Sequence, residues 1–207
     1  MHRIAYPNGF RCGQQDVVRW DSAYGQVEHE ANVFAANLLM PLDDYRRQID
    51  ATAKVDLDMI SQCAERYRVS LIAALLRWLE YTMRRAVLVV SRDGFILWTR
   101  SSSAALKTGA FFRTSRRPIE IPTQSLAARQ DLLIDGRAGI AQPAGMWFSE
   151  DVREMTIFSE SYDFVVTLLL LENRDGWMAL DSEPEEDMFD RFTNSGRSAH
   201  ARRRWQA

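Results

Sequence analysis

The hydrophobic pattern of this chain changes period near Arg85, and that change limits what it can fold into. Before Arg85, apolar residues recur at helical spacing. In "DLDMISQCAERY", Leu57, Ile60, Ala64 and Tyr67 share one face. After it, "AVLVVSRDGFILWTR" is two short apolar runs around Asp93–Gly94, the signature of a β-hairpin. "AGMWFSED", "REMTIFSES" and "DFVVTLLLLEN" read as three further strands. The connections between these runs are too short for helical crossovers, so the strands pair antiparallel. The expected class is α+β, with a helical part over residues 1–85 and a mainly antiparallel sheet module over residues 86–180.

The finer pattern follows from turn and cap chemistry. Residues 1–26 are polar, with "PNG" and "CG" as turn signals. A helix is predicted from Val27 to Met40, stopping before Pro41. "PLDDYRRQ" starts another, with Asp43 or Asp44 near its N-terminus. "LIAALLRWLEYTM" forms a third helix after the turn "RVS", with Ser70 as its N-cap. "IEIPTQSLAARQDLL" suggests an extended piece followed by a short helix. From Asp181 the hydrophobic content falls. "DSEPEED" reads as an acidic linker and "TNSGRSAHARRRWQA" as a disordered basic tail, so residues 181–207 form the third region.

The bulk properties exclude some function classes. A net charge of −2 gives no general pull towards nucleic acid or anionic membrane. The longest apolar run, "FVVTLLLL", is too short to span a bilayer, and "MHRIAYPNGF" has no apolar core of a signal peptide. Two cysteines, Cys12 and Cys63, do not make a disulfide framework, so a cytoplasmic location is expected.

The chemistry concentrates in "EHEANVFAANLLMP", Glu28 to Pro41. On a helical wheel Val27, Ala31, Phe34 and Leu38 form one apolar stripe. Glu30 lies at the edge of that stripe, Glu28 on the other flank, and His29 points away. A carboxylate at the margin of a buried face needs a cation or donors to offset its desolvation. The plainer alternative is a glutamate favoured by the helix dipole, with its head in water.

This stretch resembles the E-x-E-A-N-x-F-A-x-x-L-L-M-P segment of the ImmA/IrrE family of zinc metallo-endopeptidases. "AERYRVSLIAALLRWLE" resembles the helix pair that follows it there, and the sheet region resembles C-terminal extensions of some members. The resemblance implies a zincin-like domain. In such a domain an H-E-x-x-H helix supplies two histidine ligands and the general base, and a downstream helix supplies a carboxylate ligand. Carried over, that ligand is Glu30. The implied activity is cytoplasmic, zinc-dependent cleavage of a regulatory protein, a helix–turn–helix repressor of the XRE type, in stress or mobile-element control.

The rest of the ligand set is not in these residues. The histidines are His2, His29 and His200, and no two stand at i, i+4. No catalytic residue is therefore assigned, zinc belongs to the full-length family member, and tight zinc binding by this chain is not expected. "MHR" at Met1–Arg3 resembles the end of the family's H-E-L-G-H-x-L-M-H-R stretch. The expectation is a misplaced start or a truncated gene, against a three-residue coincidence. Whether the chain is an enzyme stays open. The alternative is a non-catalytic regulatory protein that binds a partner without cleaving it.

Three other patterns carry competing readings. "AERYRVSLIAALLRWLE" has the look of a DNA-binding helix–turn–helix, but its second helix offers mainly Arg77 and Glu80 to base edges, so a core helix pair fits better. "RTSRRP" at Arg113–Pro118 could meet an anion or be a solvated hairpin end. Ser101–Ser103 has no base or orienting acid in the pattern, so no hydrolase triad is assigned.

Overall fold

The computed structural model describes residues 23–114, 117–129, 136–159 and 163–173. It bears out the mixed α+β class: helices in the N-terminal part, then a five-stranded antiparallel sheet. The described residues fall in two units, which divide between Leu39 and Met40. Residues 1–22 and 174–207, with the expected N-terminal turns, acidic linker and basic tail, lie outside the described residues.

The first unit contains helix α1, Ala23–Leu39. It starts at Ala23 rather than Val27 and stops just before Met40–Pro41. Proline restricts the residue before it to extended backbone, which ends the helix there.

The second unit opens with α2, Leu42–Gln48, whose first turn carries Asp43 and Asp44, as predicted. Helix α3, Leu57–Tyr67, is capped by Asp56, whose carboxylate accepts the Met59 N–H at 2.8 Å. Its predicted face is realised: Leu57, Ile60 and Ala64 are buried and Tyr67 is half-buried. It ends at Arg68 in the left-handed region, φ 54°, where the next N–H, of Val69, bonds back to the Ala64 carbonyl at 2.9 Å. Ser70 then caps α4, Leu71–Leu79, its hydroxyl accepting the Ala73 N–H at 3.2 Å. Helix α4 is shorter than the predicted run to Met83. Tyr81 turns away to donate its hydroxyl to the Ile49 carbonyl at 2.6 Å, and the Met83 N–H reaches Ala51 at 2.8 Å. These bonds to the α2–α3 connection replace another helical turn.

Strands β1, Arg85–Arg92, and β2, Phe95–Ser101, form the predicted hairpin. Asp93 and Gly94 both have positive φ, 51° and 80°, the two-residue turn whose twist matches the strands it joins. Helix α5, Ser103–Lys107, follows, capped by Ser102, which accepts the Ala105 N–H at 3.2 Å. Where a short helix is expected after "IEIPTQ", the described residues form a 3-10 turn, Leu126–Ala128, and residues 130–135 lie outside the described residues. Strands β3, Ile140–Gln142, β4, Val152–Phe158, and β5, Val165–Leu171, complete an antiparallel sheet of order β2-β1-β5-β4-β3.

One expected strand is absent. "AGMWFSED" is a closed loop, and the sheet uses Ile140–Gln142 instead. The Asp151 carboxylate accepts the Ala144 N–H at 2.7 Å, and Gly145, at φ 90°, bonds the Phe148 carbonyl at 2.6 Å. Those bonds tie up backbone groups that a ladder would need, while Trp147 still buries its side chain.

The apolar runs match strand position. Strand β5 sits at the centre, and from Val166 to Leu171 every residue is buried, because both faces are covered. On one face Val87, Val89, Val152, Leu169 and Leu171 pack with Ala105, Ala110, Ala127 and Trp147 from the β2–β4 connection. Leu88, Val90, Leu168 and Met155, buried to 2% exposure or less, lie on the other face, and α4 lies against β2. Glu154 shares the first face and is fully buried. Its carboxylate accepts the Ala127 N–H at 3.0 Å and the Gln142 side-chain amide at 2.5 Å. Those bonds fasten the 3-10 turn and β3 to the sheet.

Candidate functional site

Helix α1 carries the residues that the sequence singles out. Glu30 is exposed, as is Asn32. The side chains of Glu28 and His29 lie outside the described residues, as do His2 and His200. Of the apolar stripe expected beside Glu30, Phe34 is 52% and Leu38 65% exposed and Ala31 is half-buried, while the side chain of Val27 lies outside the described residues; Val33 and Leu39 are also exposed. Within the helix the Asn37 side-chain amide donates to the Val33 carbonyl at 3.0 Å. The structure thus brings an exposed carboxylate and exposed apolar side chains together on one helix.

Among the described residues, no group of three or more His, Cys, Asp and Glu side chains gathers to hold a metal ion. A peptidase zinc site takes three protein ligands and leaves one position for water. Glu30 alone does not fit that requirement, and the described residues do not complete it.

The "LLMP" end of the motif leads into a buried anchor. Met40 is 2% exposed, and its carbonyl accepts the Arg77 Nε–H at 2.9 Å. The Arg77 guanidinium also donates to Glu80 at 2.6 Å. Arg77 is the cation that a DNA-reading α4 would have to offer, yet it is 4% exposed and committed to the protein. The wheel held that signal: Arg77 is three residues after Ala74 and four before Tyr81, and both are buried.

Beneath α2–α4 lies a tyrosine cluster. Tyr45 donates its hydroxyl to the Ala74 carbonyl at 2.8 Å, stacks on Tyr67 at 5.5 Å, and meets Tyr81 edge-on at 6.2 Å. Burial raises the pKa of both Tyr45 and Tyr81, which keeps them neutral. Burial also pushes the Cys63 thiol up, although a hydrogen bond with Tyr45 works the other way. A thiol raised by burial is a poor nucleophile, so Cys63 is a packing residue.

The serines behave structurally too. Ser102 donates to the Arg84 carbonyl at 2.7 Å while capping α5, and Ser101 donates to the Ala110 carbonyl at 3.0 Å. Trp147 is core and Trp98 is half-buried. No helix among the described residues is long and apolar enough to cross a membrane.

Comparison with known proteins adds one finding. No curated protein matches this chain. Residues 21–79 match the model of the Peptidase_M78 family, described as the IrrE N-terminal-like domain. The match covers α1 to α4, including Glu30, Met40–Pro41 and Arg77. That match supports an ImmA/IrrE-like, metallopeptidase-like assignment for residues 21–79.

Proposed function

We propose that the full-length form of this protein is a cytoplasmic zinc endopeptidase of the ImmA/IrrE type and that this chain, without H-E-x-x-H, does not cleave peptides. The observation that carries the proposal is the family match over α1–α4, in a sequence without H-E-x-x-H. Glu30 is the carboxylate ligand that such a site would use. Its exposure beside exposed Phe34 and Leu38 supports this, because a helix bearing the two histidine ligands would need both a carboxylate and an apolar surface to pack on. The substrate is a helix–turn–helix repressor of the XRE type, cleaved to release transcription. The sheet module selects the substrate or senses a signal.

Zinc dialysis tests the proposal. The chain as it stands should retain no stoichiometric zinc. Joined to an H-E-x-x-H helix, it should bind zinc and cleave a repressor peptide. Glu30→Gln should then abolish both, while Glu28→Gln should do much less. Loss of a direct ligand exceeds the roughly 10–100-fold effect of changing groups that merely orient ligands. Zinc retained by the unaltered chain and lost on Glu30→Ala would overturn the reading.

A further inference from the structure

A cavity in the sheet module is walled by residues 111–113 and 117–120. It has a volume of about 670 Å³ and is lined by Phe111, Phe112, Arg113, Arg117, Ile119 and Glu120, among others. That volume is within the roughly 300–1,000 Å³ usual for small-molecule sites. We propose that this cavity binds a small amphipathic carboxylate: an apolar, flat body bearing a single carboxylate.

The floor is apolar and rigidly backed. Phe112 lies 4.8 Å from Phe148 and 6.0 Å, edge-on, from buried Trp147. Phe112 and Ile119 both pack against the core cluster on the sheet face. The second wall is pinned to the β1–β2 hairpin: the Ile96 N–H bonds the Ile119 carbonyl at 2.8 Å, and the Ile121 N–H bonds Gly94 at 2.9 Å. Both walls therefore stand on hydrogen-bonded or core-packed structure, which lowers the ordering cost of binding.

The rim sets the charge. Arg113 and Arg117 are exposed, and the Arg113 guanidinium sits 5.6 Å over the Phe111 ring. Two exposed arginines lining an aromatic cavity suit a carboxylate, which accepts paired N–H donors from a guanidinium fork. Among the described residues, Arg113, Arg117 and the opposing Glu120 set the charge of this rim. The apolar floor would also leave a fully hydrated ion without compensation for its lost water.

The test is calorimetric titration of the full chain with naphthylacetate, naphthylacetamide and inorganic phosphate. Naphthylacetate should bind saturably. The amide, and the doubly substituted Arg113→Gln/Arg117→Gln chain, should each bind about tenfold more weakly or worse, as expected for loss of charge-assisted bonds. Leu38→Ser should leave binding unchanged, which separates the cavity from the apolar surface of α1. Both arginines are exposed, so circular dichroism should show the double variant folded. The proposal is overturned by absent naphthylacetate binding, by equal binding of acid and amide, by a double variant that binds like the parent, by loss on Leu38→Ser, or by preferred binding of phosphate. The readout involves no proteolysis, so it stands or falls independently of the peptidase assignment.

Discussion

Two apolar stretches of this chain meet opposite fates. In α1, Phe34, Leu38 and Leu39 are each more than half exposed, whereas in β5 Leu168 and Leu169 are fully buried. Both stretches are rich in large aliphatic or aromatic residues. Strand β5 has β1 and β4 bonded to its two edges and side chains packed over both faces. In α1, Val33, Phe34, Leu38 and Leu39 are exposed. Hydrophobicity supplies the drive to bury a surface, and only a complementary surface realises it. In the sheet module that drive stabilises the fold. In α1 the same drive is unmet at Phe34, Leu38 and Leu39.

The contrast breaks or holds on three measurements. The largest effect belongs to Leu168→Ala, which leaves a cavity beneath fully buried neighbours and should cost about 2–5 kcal/mol in urea unfolding. A loss below about 1 kcal/mol would mean that the centre of the sheet is loosely packed.

The tyrosine cluster sharpens the same contrast through pH. Burial raises Tyr45 and Tyr81 above the ordinary value of 10.0. A raised folded-state value means that the unfolded chain loses its protons first. Stability from this cluster should be complete below pH 10.0 and fall as pH rises beyond it. Denaturant midpoints measured across that range should show the decline, and Tyr45→Phe should flatten it. A Tyr45→Phe profile as steep as the parent's would show that the cluster is solvated.

The smallest effect is expected in α1. Leu38→Ser, at a position 65% exposed, should change stability by no more than about 0.5 kcal/mol while lowering binding of a hydrophobic dye. A destabilisation comparable to that of Leu168→Ala would show that Leu38 is covered in solution.

Much of this organisation was present in local sequence. The change of period at Arg85, the Asp93–Gly94 turn, the Ser70 cap and the stop before Pro41 depend on residues within a few positions of one another. Such signals act through backbone preference and side-chain spacing, and they appear where expected. The family resemblance was also legible, since residues 21–79 match a peptidase-family domain. Tertiary structure decided the rest. Strand β3 is three residues long and exists because β4 pairs with it and Glu154 takes the Gln142 amide. The "AGMWFSED" run has strand-like composition, yet Asp151 and Gly145 close it into a loop. Arg77 reads as a surface cation until the Met40 carbonyl arrives from 37 residues away. The sheet order β2-β1-β5-β4-β3 follows from which edges find partners across the chain. Periodicity says which face of an element is apolar, and what that face meets depends on residues distant in sequence.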